Sequence, residues 1–190
     1  MDKINVAILA SGSGSNAENI CHYFQEHKNI RISWIASNRK DAYVLERAKR
    51  LGIPHHVFSK AGMEDGSLGR LLEEGQVSVI VLAGFLLKIP ETLIESYPES
   101  IINIHPSLLP SYGGKGMYGQ RVHEAVIAAG DRESGITIHL VNREYDKGRI
   151  LFQARCEVSP EDTAETLAAK IHDLEYRFFP KVIADYILHK

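Results

Sequence analysis

The feature that most constrains the fold is a short apolar run, a glycine-containing loop and a helical pattern, in that order, within residues 4–24. Ile4–Ala10 has the length and apolar content of a buried parallel strand. Ser11–Asn16 reads Ser-Gly-Ser-Gly-Ser-Asn, and apolar residues then recur at helical spacing: Ala17, Ile20, Cys21 and Phe24. This order predicts a βα unit of an α/β fold, in which N–H groups at the helix start can bind a phosphate.

The same loop has the spacing of a dinucleotide-binding fingerprint, G-x-G-x-x-G/A, at Gly12, Gly14 and Ala17. A dinucleotide site also needs an acid near the end of the second strand, where it binds the ribose hydroxyls. Here the second predicted strand is followed by Ser-Asn-Arg, and Arg39 leaves a phosphorylated dinucleotide possible. A small phosphorylated substrate suits the loop better.

The rest of the chain alternates between strand and helix patterns. Strands are predicted at 30–36, 53–58, 77–83 and 101–105, and helices at 41–51, 64–75, 92–97 and 122–129. Residues 135–141 and 149–158 form a hairpin-like pair of strands. A last helix follows a capping-box pattern at Asp162 and Glu165, and Pro180 is expected to kink or interrupt it. The prediction is one Rossmann-like α/β domain over residues 1–190, with a mostly parallel sheet, helices on both faces and an antiparallel extension near the C-terminal end.

The composition argues against several classes of protein. With 190 residues and a formal net charge of −2, the chain has no basic surplus for nucleic acid or a membrane surface. Cys21 and Cys156 lie far apart and outside any metal-ligand spacing, which predicts a reduced, cytoplasmic protein without a metal. No apolar run is long enough to span a membrane, and residues 1–3 lead into a strand rather than a signal peptide.

The segment 101–110, Ile-Ile-Asn-Ile-His-Pro-Ser-Leu-Leu-Pro, places two polar residues in an apolar strand. Side chains alternate along a strand, so Asn103 and His105 point to the same face. Pro106 cannot donate to a sheet ladder, so the strand is expected to end near His105, where open α/β sheets bind substrates. A single His in this place can also do no more than satisfy buried hydrogen bonds.

A second polar feature is Asp146, an acid in the polar loop 142–148. Together with Asn103, it favours a catalytic role for His105 over one limited to buried hydrogen bonds. An Asn amide can donate to an oxygen that becomes negative, and a His beside a carboxylate can donate a proton near neutral pH. No Ser or Cys lies in a nucleophile elbow. The residues alone therefore predict a general-acid transferase or hydrolase with a phosphorylated substrate, and Asp146 can still be an ordinary loop acid.

Several motifs together resemble the glycinamide ribonucleotide formyltransferases, a branch of the folate-dependent formyltransferase family. They run in order from about residue 4 to residue 185: Ser11–Asn16, Leu82–Phe85, Asn103–Pro110, Gly135–His139 and Tyr145–Gly148. Methionyl-tRNA formyltransferases and formyltetrahydrofolate deformylases are similar around the Asn-x-His-Pro block. Members of those two groups carry a further C-terminal or N-terminal domain, respectively, which this sequence is not expected to have.

The resemblance implies that the amine of glycinamide ribonucleotide attacks the formyl carbon of 10-formyltetrahydrofolate, the formyl-donor cosubstrate, in purine biosynthesis without a metal. Asn103 would stabilise the oxyanion, His105 would donate a proton, and Asp146 would keep His105 protonated and help move the proton through water. Small molecules are the expected partners, and a monomer or weak homodimer is the expected state. The alternatives are a deformylase, which is a hydrolase, and a non-catalytic nucleotide-binding module.

The resemblance also implies binding residues. Gly14, Ser15 and Asn16 would bind the ribonucleotide phosphate, and Glu175 would bind the glycinamide amine. The folate pocket would include Leu86, Leu87, Lys88, Ile89, Asn103, Asn142, Arg143, Glu144, Tyr145 and Asp146. Three further residues are possible contributors: Lys60 near the folate tail, His139 as a second His at the site, and His172, which stands where the family often has Gln. The glycine-rich segment 111–119 is expected to form a mobile loop beside the site.

Overall fold

The computed structural model describes residues 3–190, so the expectation for residues 1 and 2 lies outside the described part of the chain. The strands are β1 Ile4–Leu9, β2 Ile30–Ser37, β3 His55–Val57, β4 Val79–Leu82, β5 Ile101–His105, β6 Glu133–Leu140 and β7 Ile150–Glu157. The helices are α1 Ser15–Phe24, α2 Tyr43–Arg50, α3 Lys60–Glu64, α4 Ser67–Glu74, α5 Glu91–Ser96, α6 Gln120–Ala129 and α7 Ala164–His189.

The strands form a seven-stranded sheet in the order β3-β2-β1-β4-β5-β6-β7. The pairs β1–β2, β1–β4 and β2–β3 are parallel, whereas β6–β7 is antiparallel. This confirms the predicted Rossmann-like α/β fold, its mostly parallel sheet with flanking helices and its antiparallel extension. By compactness the chain divides into residues 1–102 and 103–190, and a single domain over 1–190 stays a prediction.

The first unit is built on β1, whose residues Val6–Leu9 are completely buried. A run of Val, Ala, Ile and Leu without polar alternation is typical of a parallel strand that is covered on both faces. Helices α1 and α2 pack against β2 and against each other. The loop between β1 and α1 is therefore held between a buried strand and two packed helices.

The second unit is built on the β6–β7 pair and on α7, which packs against both strands and against α6. Thr137 pairs with Gln153 and His139 with Ile150, with a register irregularity between Ile138 and His139. The irregularity lies directly before His139, and irregularities of this kind are common next to functional sites. No helix within residues 3–190 has both the length and the apolar character needed to cross a membrane.

Two predicted helix boundaries are wrong in detail. The helix predicted at 64–75 begins only at Ser67, because Gly66 adopts a left-handed conformation (φ 82°) and separates α4 from α3, which ends at Glu64. The cap of α7 is Thr163 with Thr166 and not Asp162 with Glu165: the Thr163 and Thr166 side chains each bond to the other residue's backbone N–H. The Asp162 carboxylate instead accepts from the Ser159 N–H and pairs with Lys170.

Pro180 does not interrupt the last helix, which continues from Ala164 to His189. A proline inside a helix costs about 3 kcal/mol because it removes a hydrogen bond and crowds the preceding turn. Pro180 itself is buried, and Phe179 and Ile183 on the same helix are completely buried. Burial of such side chains returns roughly 1.5–3 kcal/mol each, which offsets the local cost.

Candidate active site

The polar residues at the ends of β5 and β6 lie together with an acid from the loop that follows β6. Asn103 and His105 come from β5, His139 from β6, and Asp146 from the loop after it. All four belong to the second unit, and the two His side chains are almost completely buried. The proximity of Asn103, His105 and Asp146, which the sequence suggested, is therefore present in the structure.

His139 fixes the orientation of Asn103. Its Nδ1 lies 2.8 Å from the carbonyl oxygen of Leu140, which can only accept, so Nδ1 carries the hydrogen. In the neutral ring Nε2 is then the acceptor, and Nδ2 of Asn103 donates to it at 3.1 Å. Burial lowers the pKa of His139, against the opposing effects of the Leu140 hydrogen bond and the Asp146 charge, and this favours the neutral ring.

This hydrogen bond leaves the other Nδ2 hydrogen of Asn103 available. Because the amide NH2 group must face His139, its Oδ1 faces the other way, and the orientation of the amide is determined by the network. Asn103 is half-buried, so part of the residue is accessible from solvent. The residue is thus a preorganised donor of the kind that stabilises an oxyanion.

His105 is held from both sides of its ring. Nε2 donates to the carbonyl oxygen of Tyr112 at 2.8 Å. Nδ1 lies 3.7 Å from Oδ2 of Asp146, a separation that permits an ion pair when the ring is protonated but exceeds a hydrogen bond. The Tyr112 contact is to a backbone group in segment 111–119, so no side-chain pattern could have revealed it.

Asp146 is positioned by an unusual backbone conformation. Its φ is 55°, in the left-handed region that Asp and Asn tolerate better than most residues. Oδ2 accepts from the Gly114 N–H at 2.8 Å, and Oδ1 lies 3.7 Å from Nε2 of His139. A Cβ on Gly113 would lie 2.6 Å from a methyl group of Leu109 and 3.4 Å from Cβ of Asp146, so a larger residue here would require the Leu109 side chain to shift. Segment 111–119 lies beside the site as predicted, and its mobility stays a prediction.

The turn that follows His105 is held by Thr137, a residue that the sequence analysis did not single out. Its hydroxyl donates to the Ser107 carbonyl at 2.7 Å and accepts from the Leu109 N–H and from Nε2 of Gln153, both at 2.9 Å. Gln153 also donates to the Leu109 carbonyl at 3.0 Å. With one donor and two acceptor positions filled, the Thr137 hydroxyl has no hydrogen-bonding capacity left for substrate.

Helices α6 and α7 contribute three further titratable groups. Nδ1 of His172 lies 3.1 Å from Oε2 of Glu175, and this hydrogen bond raises the pKa of His172 against the effect of burial. His123 was missed from sequence. It is buried, its Nδ1 has no hydrogen-bond partner among residues 3–190, and burial lowers its pKa. The charges of Glu175 and His105 both act on His123, so these side chains share one electrostatic environment.

In the first unit, the phosphate loop (Gly12–Asn16) leads into α1. Gly14 is the residue before the helix and has a left-handed backbone (φ 75°). It has no side chain that could cap the helix, and Ser15 and Asn16 form the first turn. A Cβ at Gly14 would overlap the side chain of Val44, so the loop backbone packs directly against α2. These features favour an anion at the start of α1.

The residues expected to bind folate lie in two segments, one in each unit. After β4, Leu86 and Lys88 are exposed, Leu87 is half-buried and Ile89 is buried. The Leu86 N–H donates to the Ser11 hydroxyl at 3.0 Å, and that hydroxyl donates to Oδ1 of Asn38 at 2.6 Å.

The second folate segment follows β6, where Asn142, Arg143, Glu144 and Tyr145 are exposed. Asn142 bonds to the Lys147 carbonyl and the Glu144 N–H, which closes the loop. Lys60, the possible contact for the folate tail, is exposed on α3 and pairs with Glu64 at 3.6 Å. Within residues 3–190, no three His, Cys, Asp or Glu side chains are placed to hold a metal ion together.

Comparison with known proteins connects this geometry to a family. Residues 4–183 match the formyl transferase family. The chain belongs to the formyl transferase family. The phosphoribosylglycinamide formyltransferase of Haemophilus influenzae is 38% identical over 94% of this chain and 84% of its own length. The chloroplastic phosphoribosylglycinamide formyltransferase of Arabidopsis thaliana is 40% identical over 94% of this chain.

The formyl transferase fold extends over nearly the whole chain. The crystal structure of phosphoribosylglycinamide formyltransferase from Anaplasma phagocytophilum has a TM-score of 0.87 and 36% identity, and the match covers 96% of this chain and 86% of that one. The enzyme from Streptococcus pneumoniae has a TM-score of 0.86 and 35% identity, covering 98% and 99%. The chain spans 63% of the Arabidopsis thaliana relative and 59% of the chloroplastic relative from Vigna unguiculata.

Proposed function

We propose that this member of the formyl transferase family transfers the formyl group of 10-formyltetrahydrofolate to the amine of glycinamide ribonucleotide, a step of purine biosynthesis. The observation that carries the proposal is the Asn103 amide, which His139 orients with one hydrogen free, in the same cluster as His105 and Asp146. Relatives at 36–40% identity are named phosphoribosylglycinamide formyltransferase, which supports the formyl group and its acceptor. A relative at 35% identity is named a purine biosynthetic protein, which supports the pathway.

In the first step, the amine nitrogen attacks the formyl carbon and the carbonyl oxygen becomes negatively charged. The free Nδ2 hydrogen of Asn103 donates to this oxygen. A preorganised donor of this kind lowers the barrier by about 3 kcal/mol, since it does not have to reorient as the charge develops. A neutral His139 is required, because a protonated ring could not accept the other Asn103 hydrogen.

In the second step, the attacking nitrogen loses a proton, the bond between the formyl carbon and N10 of the folate breaks, and N10 gains a proton. We assign the donated proton to Nδ1 of His105, because Nε2 is engaged by the Tyr112 carbonyl. Asp146, at 3.7 Å from Nδ1, stabilises the charged ring and helps move the proton through water.

The binding residues follow from the family resemblance and from local structure. Backbone groups of Gly14, Ser15 and Asn16 at the start of α1 bind the ribonucleotide phosphate. Glu175 binds the glycinamide amine, and His172, which is hydrogen-bonded to Glu175, is a possible further contributor. Folate contacts come from Leu86–Ile89 and Asn142–Asp146, and Lys60 is available for the folate tail.

The protein acts on small molecules in the cytoplasm and needs no metal. It is one domain over residues 1–190 and acts as a monomer or weak homodimer. We expect neither nucleic acid nor a membrane as a partner, because a net charge of −2 leaves the chain without an overall surplus of basic residues.

The experiment is to follow tetrahydrofolate formation from 10-formyltetrahydrofolate with and without glycinamide ribonucleotide. We expect turnover only when the ribonucleotide is present. Formate release without it would make this chain a deformylase, and ligand binding without turnover would leave a nucleotide-binding module. A His105→Ala variant is expected to keep its KM values and lose about 10²–10⁴-fold in kcat, because a general acid contributes that much.

A further inference from the structure

We infer that Arg47 is a positioning residue, which turns the N–H groups of the phosphate loop toward the substrate phosphate. The inference rests on the proposed function, because it concerns the phosphate of the ribonucleotide. Arg47 lies on α2, outside the loop, and its side chain is 19% exposed. A largely buried arginine whose side chain hydrogen-bonds to a backbone carbonyl has more than a solubility role.

Helix α2 holds two consecutive carbonyl groups of the loop. The Gly12 carbonyl accepts from the Val44 N–H at 3.1 Å, and the Ser13 carbonyl accepts from Nε of Arg47 at 2.8 Å. The packing of Val44 against Gly14 holds the next residue at the same surface. Three successive loop residues are therefore fixed by one face of α2.

These contacts determine where the loop N–H groups point. In a trans peptide the C=O and N–H bonds of one unit point in opposite directions, and the loop contains no cis bond. Since the Gly12 and Ser13 carbonyls face α2, the N–H groups of Ser13 and Gly14 face away from it. Successive N–H groups on one side of a turn form an anion-binding concavity, which continues into the start of α1.

Arg47 also neutralises a charge that opposes phosphate binding. Glu18 lies in the first turn of α1, where its carboxylate would repel an incoming dianion. Nη1 of Arg47 forms an ion pair with Glu18, and Nη2 of Arg50 lies 3.9 Å from the same carboxylate. One guanidinium thus binds a carbonyl and a carboxylate at once, which its fork geometry permits and a lysine ammonium would do poorly.

The test compares Arg47→Met with Lys49→Met. Both remove one positive charge from α2, but Lys49 pairs with the exposed Glu46 and has no contact with the loop. For Arg47→Met we expect the KM for glycinamide ribonucleotide to rise about tenfold or more, the loss typical of one charge-assisted hydrogen bond. The kcat and the KM for 10-formyltetrahydrofolate are expected to stay within about twofold. Lys49→Met is expected to behave like the wild type.

A second measurement isolates the phosphate contact. Inorganic phosphate, used as a competitive inhibitor against the ribonucleotide, should bind Arg47→Met correspondingly more weakly than Lys49→Met. If Arg47→Met does not fold, Arg47→Lys is tested in its place. This variant keeps the positive charge but loses the guanidinium that binds the carbonyl and the carboxylate at once. An unchanged ribonucleotide KM, or an equal effect of Lys49→Met, would overturn the inference. Absence of any ribonucleotide-dependent transfer by the wild type would instead overturn the proposed function.

Discussion

Nδ2 of Asn103 donates a hydrogen bond of 3.1 Å to Nε2 of His139, whose other ring nitrogen donates to the Leu140 carbonyl. The direction of the first bond depends on the second, because a carbonyl cannot donate. The proposed oxyanion donor is therefore oriented by a His that must stay neutral. Under the proposed function, this relationship gives His139 a positioning role and predicts that catalysis is sensitive to pH.

Replacing His139 with Phe keeps the ring and removes the acceptor for Asn103. We expect kcat to fall about 10- to 100-fold, because misorientation of a catalytic donor by about 1 Å costs this much, with little change in KM. The measurement is steady-state kinetics with both substrates. His22→Phe, an exposed position on α1, is the control and should leave kcat unchanged. A His139→Phe enzyme with wild-type kcat would remove the positioning role.

The lowered pKa of His139 predicts a loss of stability in acid. Burial is its main cause, so the unfolded ring, with an ordinary value of 6.5, binds a proton more readily than the folded one. The contribution is complete above pH 6.5 and is lost as the pH falls from there through the lowered folded pKa. Denaturant unfolding at pH 7.5 and pH 5.5 checks this. The free energy of unfolding should fall more in the wild type than in His139→Phe, and equal losses in the two proteins would contradict the assignment.

Two substitutions of Asp146 separate the role of its negative charge from the effect of its left-handed backbone conformation. Asn tolerates the φ of 55° and can still accept from the Gly114 N–H, so Asp146→Asn should keep its stability. Its kcat should fall about 100-fold if the charge assists proton transfer by His105. Asp146→Ala should show a similar kcat and also lose about 1–2 kcal/mol of unfolding free energy from left-handed strain. Unimpaired catalysis by Asp146→Asn would exclude a role for the charge.

Glycines provide a test of the fold near the site. A Cβ on Gly148 would overlap the Leu140 carbonyl oxygen, and one on Gly135 would overlap the Ala154 carbonyl oxygen. We expect Gly148→Ala or Gly135→Ala to lose more than about 2 kcal/mol of unfolding free energy, because backbone must move. Gly69 lies within α4 with open space at its Cβ, so Gly69→Ala should gain about 0.5–1 kcal/mol. Thermal unfolding midpoints report these differences, and the opposite order would count against this packing.

Strand and helix patterns were sufficient to predict the architecture. Asn103 and His105 are two residues apart on β5, and this spacing correctly placed both on one side of the strand. Boundaries were less predictable, since they depend on local competition. Thr163 displaced Asp162 as the cap because the Asp162 carboxylate is used by Lys170 and the Ser159 N–H. Pro180 stays helical because packing, which the local sequence does not encode, outweighs its cost.

The parts of the candidate site that consist of side chains could be predicted from the sequence. The parts that consist of backbone groups could not. Asp146 was considered from the residues alone, but only the family resemblance distinguished it from an ordinary loop acid, because one acid in a polar loop has no distinguishing local pattern. The contacts of His105 with the Tyr112 carbonyl and of Asp146 with the Gly114 N–H involve groups that every residue has. His123 could have been found from its position beside Val122 in an apolar helical stripe, where a buried His is unusual.

The most direct test of the central claim is the fate of a ¹³C-labelled formyl group on 10-formyltetrahydrofolate, followed by NMR with glycinamide ribonucleotide present. The proposed function predicts that the label appears in the formamide of the ribonucleotide product, with one tetrahydrofolate formed per formyl group transferred. Recovery of the label as free formate, with the ribonucleotide unchanged, would contradict it.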